Sequence, residues 1–131
     1  LADLLPRSEM DSLPDYLQYS CKSDHKIQNY AKIHFGFWSS YNSVRKEIHR
    51  VVREELLRRP GRLLITGHSL GGAQAILCAY DMSRWVIPTI TRELSRNSSS
   101  VGQEAVDTIK LCCYTYGCPR VGNGSFKKAY D

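Results

Sequence analysis

The sequence is short of several things, and some of these shortages remove a class of protein. No uninterrupted apolar run approaches the ~20 residues that a helix needs to cross a bilayer. No charged leader followed by an apolar signal core is visible. Five cysteines are present, Cys21, Cys78, Cys112, Cys113 and Cys118, but no CxxC pair, which excludes a zinc ribbon. No lysine stands near Gly71 or Gly72, so the glycine-rich segment there is not a phosphate loop of the GxxxxGK[ST] kind. There is no internal repeat. The four histidines are His25, His34, His49 and His68, and none follows residue 68.

What is present suits one folded domain. The chain has 131 residues, 42% of them apolar and 24% charged. Lys+Arg 18 against Asp+Glu 13 leaves a net charge of +5. Such a bias would favour anionic lipid surfaces or nucleic acid, but an ordinary solvated surface is the preferred explanation. No aromatic or groove-reading motif accompanies the basic residues, so a nucleic-acid partner is not expected. The cysteines sit mostly in apolar runs and read as buried free thiols, with a bridge from Cys21 left open. Asn97-Ser98-Ser99 and Asn123-Gly124-Ser125 match the glycosylation acceptor pattern, which is common by chance. The chain opens on Leu1, directly on an apolar and acidic mix, and is expected to be a piece cut from a longer one.

The periodicity predicts alternating strands and helices. Residues 1–25 read as loop with one helical turn, and 28–34 as a short strand. From Phe35 to Arg59, Phe37, Tyr41, Val44, Ile48, Val52 and Leu56 recur every three or four residues, one stripe of an amphipathic helix. Arg45, Lys46, Arg50, Arg53 and Arg58 fall on its polar side, His49 falls off the stripe toward solvent, and Pro60-Gly61 ends it. Arg62 to Thr66 reads as a strand buried on both faces. A helix is expected over Leu70–Val86, ended or kinked by Pro88, then a polar surface linker over 88–107. Thr108–Tyr116 is a second buried strand, and a short helix is expected from Ser125. The fold class is therefore α/β, a mainly parallel β-sheet flanked by helices.

Residues 62–86 contain the strand, turn and helix of a nucleophile elbow. Gly67-x-Ser69-x-Gly71 fits the GxSxG pattern. A strand that reverses sharply into a helix puts the apex serine in strained backbone geometry and lifts its hydroxyl above the sheet. Strand and helix then approach so closely that a Cβ at Gly67 or Gly71 is expected to clash. The helix starts beside the hydroxyl, and the N–H of Leu70 is the expected oxyanion donor. GxSxG arises by chance in about 4% of chains this long, and the flanking strand and small-residue helix lower that to well under ~1%.

A serine hydroxyl needs a base, and the base an orienting acid. In elbow-type hydrolases the order along the chain is serine, acid, histidine, and no histidine follows Ser69. His68 adjoins Ser69, but neighbouring side chains at a strand end diverge, so it reads as a supporting residue. His34 reads as structural. Of the later acids, Asp81 lies roughly 18 Å along the elbow helix at 1.5 Å per residue. Glu93 and Glu104 fall in the linker, Asp107 begins a strand, and Asp131 ends the chain. None fits a triad.

Four blocks together resemble the class 3 lipases, the fungal-type triacylglycerol lipase group of the α/β-hydrolase fold. Leu1-Ala2-Asp3-Leu4 is similar to the end of that family's W-x-x-D-L segment at the lid. Ile33-His34-Phe35-Gly36-Phe37 with Tyr41 resembles V-H-x-G-F-x-x-x-Y. Gly67-His68-Ser69-Leu70-Gly71-Gly72-Ala73 matches G-H-S-L-G-G-A, and Tyr114 to Asn123 resembles T-[FY]-G-x-P-R-V-G-N, with Cys118 where serine or glutamine is commoner. The resemblance implies that residues 1–131 are the central part of one lipase domain, a partial α/β-hydrolase, with 1–25 as lid end and loop. It implies a serine hydrolase that cleaves carboxylic esters of lipids (triacylglycerol, diacylglycerol or phospholipid) through an acyl-enzyme. Ser69 would be the nucleophile and Leu70 the backbone oxyanion donor, with Gly67, His68, Gly71, Gly72 and His34 as supporting residues. No metal or cofactor is implied, and the substrate would be met at a membrane or droplet interface. The family's upstream oxyanion residue, triad aspartate and histidine would lie outside this segment, so the segment alone is expected to be inactive. The alternative is an inactive lipase-like lipid-binding or scaffold domain.

Overall fold

Helix α1 spans Phe35–Arg58 and ends two residues before Pro60. The computed structural model that shows it describes residues 31–97 and 106–131. The readings for residues 1–25, for Cys21 and for the start of the 28–34 strand lie outside the described residues. Of that strand, Ile33 forms an isolated antiparallel bridge to Gly122, and the His34 N–H donates to the Val121 carbonyl at 2.9 Å.

The buried face of α1 keeps the expected stripe except at Val44 and is wider than expected. Trp38, Tyr41 and Leu56 are buried, whereas Val44 is 50% exposed. Phe37, Ile48 and Val52 pack on the core beside them, and residues 45 and 49 extend the interface on one side at the same helical period. Arg45 and His49, expected on the solvent side, are therefore half-buried against the next helix. Of the remaining basic side, Arg50, Arg53 and Arg58 are matched by acids. Arg50 bridges Glu47 and Glu54, Arg58 meets Glu55, and Arg53 reaches Glu93. Each such exposed pair contributes about 0–1 kcal/mol, and together they leave less free charge for an anionic surface than the sequence suggested.

Strand β1 (Arg62–His68) runs parallel to β2 (Lys110–Tyr116), in register from Arg62 opposite Lys110 to His68 opposite Tyr116. A parallel pair needs a long crossover. Here it is α2 (Leu70–Asp81), a π-helical segment (Met82–Val86) and α3 (Ile87–Asn97). The expected helix does not stop at Pro88. The Ile87 N–H donates to the Met82 carbonyl, five residues back, so the helix widens one turn before the proline ring enters it. The hydroxyl of Thr89 takes the Trp85 carbonyl at 2.7 Å. The expected surface linker is helical over its first part, because Ile87, Ile90 and Leu94 keep helical spacing and pack on one core. Residues 98–105 of that linker lie outside the described residues.

The core has two centres. Trp38, Tyr41, Ala73, Leu77, Tyr80, Val121 and Phe126 form one; Leu56, Met82, Val86 and Ile90 form the other, joined by Leu63, Ile65 and Leu111 from the sheet. Each fully buried large apolar side chain adds about 1.5–3 kcal/mol. Only one face of the sheet is packed in this way. Leu64 is 57% and Tyr116 64% exposed on the other, so neither strand is buried on both faces as expected; among the described residues no helix covers that side. The four described cysteines, Cys78, Cys112, Cys113 and Cys118, are free thiols and half-buried rather than fully buried. Helix α4 (Gly124–Tyr130) starts one residue earlier than expected, since Asn123 caps it. The Asn123 side chain accepts from the Phe126 N–H at 3.0 Å and the Lys32 N–H at 2.9 Å. The asparagine of that glycosylation pattern is thus held in the fold.

Asp81, at the end of α2, is fully buried. It accepts from the Tyr41 hydroxyl at 2.6 Å, from Arg45 Nε at 2.7 Å and Nη2 at 2.9 Å, and is bonded to His49 Nε2. Burial alone would raise its pKa. The hydrogen bonds from His49, Arg45 and Tyr41 outweigh burial and hold the carboxyl well below the usual carboxylate range. A buried carboxylate that lost these donors would be costly, so the cluster clamps α1 onto α2. We expect Asp81→Asn to destabilise the fold by about 3 kcal/mol at pH 7 in urea unfolding. Because the folded pKa lies below the unfolded value of about 3.9, this contribution is complete above that pH and is lost as pH falls beneath it. The gap between wild type and Asp81→Asn should therefore narrow at pH 3.

Candidate active site

Ser69 stands at the junction of β1 and α2, as the N-cap of the helix, with φ 52° and ψ −122°. Among the described residues it is the only non-glycine with positive φ. A backbone of this kind costs about 1–3 kcal/mol and persists only where its surroundings over-determine it. Here they do. The Ser69 carbonyl accepts from the N–H groups of Gly72 at 2.9 Å and Ala73 at 3.2 Å, and its own N–H donates to the Tyr116 carbonyl at 2.9 Å. Register explains the last bond: β2 ends at Tyr116, directly opposite His68.

A serine at an N-cap ordinarily spends its hydroxyl on a free helix N–H. Ser69 makes no such side-chain bond. The residue is exposed, and so is Leu70, by 51%. The N–H groups of Leu70 and Gly71 precede the first intrahelical bonds and have no intrahelical acceptor. An open hydroxyl therefore sits beside free amides at the positive end of a helix, the arrangement that suits attack on a carbonyl and support of the oxyanion.

The glycines divide their work unequally. A Cβ on Gly67 would lie 2.1 Å from the Gly71 carbonyl oxygen and 2.4 Å from its carbon. Gly67 is thus where strand and helix backbones meet. A Cβ on Gly71 would meet nothing within 4 Å among the described residues, so the clash expected there is absent: it is the carbonyl of Gly71, not its α-carbon, that faces the strand. Gly72 is buried, with Cys118 Cβ 3.1 Å and the Gly67 carbonyl oxygen 3.3 Å from where its Cβ would stand.

The structure gathers Gly67, Ser69, Leu70, Gly71 and Gly72 into this one bend. His68 is exposed at the strand end, its Nε2 3.5 Å from the Cβ position of Gly117. His34 lies elsewhere, at the start of α1, its ring centroid 4.3 Å from that of Phe37. Among the described residues no histidine and no acid is hydrogen-bonded to Ser69. Two features had no signal in the sequence: the Tyr116 carbonyl on Ser69, which depends on strand register, and the seating of Cys118 on Gly72. From the glycine geometry, Gly67→Ala should cost about 3 kcal/mol, the upper end of the overpacking range, and Gly71→Ala no more than about 0.5 kcal/mol. Thermal or urea denaturation of the two variants side by side checks this.

With this geometry in view, the likeness to known proteins is specific. The family model for class 3 lipases matches residues 7–131. A lipase of Rhizopus niveus is 36% identical over 105 residues, covering 79% of this chain and 22% of that protein. The solved lipase II of Rhizopus niveus superposes with a TM-score of 0.58 at 33% identity, over 95% of this chain and 39% of that one. A solved triacylglycerol lipase whose catalytic centre is formed by a serine protease triad gives a TM-score of 0.55 at 30% identity, over 86% of this chain and 38% of that one. The chain thus spans a minor part of these relatives, and that part has the α/β-hydrolase fold with its parallel strands and helices. A match that takes in the elbow, α1 and the loop after β2 at once places the chain in the class 3 lipase family.

Proposed function

We propose that the chain carries the nucleophile and one oxyanion donor of an enzyme that hydrolyses carboxylic esters of lipids. The observation that carries this is Ser69, a strained, exposed serine whose hydroxyl is not used to cap its own helix. Ser69 Oγ attacks the acyl carbonyl and the Leu70 N–H takes the charge that grows on its oxygen. Loss of one such donor costs about 2.7–4 kcal/mol of transition-state stabilisation. Collapse of the tetrahedral species expels the alcohol and leaves an acyl-enzyme. Water then attacks the same carbonyl and the fatty acid leaves. The proton moves through a histidine base with its orienting acid, both contributed from outside residues 1–131: no histidine follows Ser69, and none of the later acids fits a triad. The chain supplies the substrate's acyl carbon with an attacking atom and an electrostatic cradle, and the ester is met at a membrane or droplet interface.

The inactive-scaffold reading makes the opposite statement about Ser69, so one experiment separates the two. The full-length gene product should label with a fluorophosphonate and the Ser69→Ala variant should not. A folded wild type that stays unlabelled would leave the scaffold reading. The 131-residue segment by itself should turn over esters at least about a thousandfold more slowly than the full-length protein, for want of the base.

A further inference from the structure

Ser69 is held from a second direction, by the turn that follows β2. The Tyr116 carbonyl takes its N–H at 2.9 Å. Two residues later the chain closes on the first turn of α2, where Cys118 Cβ lies 3.1 Å and Cys118 Cα 3.4 Å from the Cβ position of Gly72. Between these contacts stands Gly117, the only glycine with positive φ among the described residues, at 55°. The chain bends at this left-handed residue, with Tyr116 on the nucleophile before it and Cys118 on the helix after it. Space is not why residue 117 is glycine. Its Cβ position is 3.5 Å from His68 Nε2, an ordinary contact, so conformation is the constraint.

The two contacts fall on residues 69 and 72 and so bracket the free amides of Leu70 and Gly71. We infer that Tyr116-Gly117-Cys118 is a positioning turn: it sets the height of Ser69 and the direction of the Leu70 N–H, without touching substrate. This rests on the hydrolase reading above. An oxyanion donor acts only within about 2.7–3.1 Å of the oxygen, and a misplacement of about 1 Å costs on the order of a hundredfold in rate. The turn should therefore act on kcat and leave KM alone.

The test compares Gly117→Ala, Gly117→Asn, Cys118→Ser and Cys118→Val in the full-length gene product, with kcat and KM on a soluble p-nitrophenyl ester, the rate of fluorophosphonate labelling, and Tm. Alanine and asparagine add the same Cβ, but asparagine tolerates the left-handed region. Gly117→Ala should lower kcat and the labelling rate about tenfold or more with KM within about twofold, while Gly117→Asn stays within about threefold of wild type. Cys118→Ser should be near wild type, and Cys118→Val, which sets a second γ-carbon near Gly72, should lose about tenfold in kcat. If Gly117→Ala does not fold, the Cys118 pair carries the comparison. Variants that lower Tm yet keep wild-type kcat, or an alanine and an asparagine that behave alike, would overturn the inference and leave the turn a stabilising element only. A folded wild type that never labels is a different failure: it removes the hydrolase reading and this inference with it.

Discussion

How closely a strand can approach the helix that follows it governs the rest of this structure. At Gly67 the α-carbon of β1 comes so near the carbonyl of Gly71 that a methyl group has no room. That approach forces the three residues between them, His68, Ser69 and Leu70, into a tight bend, and Ser69 takes a positive φ as the consequence. The strain is local, and its restraints are local too: two helix N–H groups on the Ser69 carbonyl and one strand-end carbonyl on its N–H. A looser junction would relieve the serine and, in the same movement, let its hydroxyl fold back onto the helix as an ordinary cap.

The other end of the same helix is fixed by chemistry of a different kind. Asp81 brings a carboxylate into the core, where tyrosine, arginine and histidine from α1 satisfy it. Among the described residues no buried side-chain polar atom lacks a partner, so this cluster is complete rather than frustrated. Complete polar clusters specify a geometry more sharply than they add stability. Helix α2 is thus pinned at its start by backbone contact and at its end by charge, with the apolar face of Ala73, Leu77 and Tyr80 against α1 between them. Its first-turn amides inherit that fixity, which a donor aimed at a developing charge requires.

How much of this was legible in the sequence depended on range. The elbow is a five-residue pattern, and both strands and the long helix were readable from runs and periods, because each of these signals is local. The apolar stripe of α1 departs from the core only at Val44, and the buried face extends beyond it to Trp38, Arg45 and His49. Hydrophobic spacing pointed to Val44, whereas the partner helix presents an acid and so draws in Arg45 and His49. That choice is made by Asp81, 36 residues away from Arg45, and no window of sequence contains it. Similarly, the polar letters after Pro88 concealed Ile90 and Leu94, which keep helical spacing and are buried or half-buried on one side. The π-helical turn that admits the proline had no sequence signal beyond the proline itself. Among the candidate site residues, those within the bend came together, and His34, matched only by its motif, lies with Phe37 instead.

Nucleophile and base differ in the same way. On the proposed mechanism the attacking oxygen and its oxyanion donor belong to adjacent residues, Ser69 and Leu70, so a single turn fixes both. The base must come by tertiary contact, from a place that the turn does not specify. A hydroxyl without its base is still aimed, and an amide without its base still stabilises charge: on the order of 10³–10⁴-fold acceleration over water outlasts the loss of a triad member in hydrolases built this way. What a base adds is proton transfer, which multiplies a rate but cannot aim an atom. The physical content of residues 62–73 is aim, and it is set by one carbonyl lying too near one α-carbon for any residue but glycine.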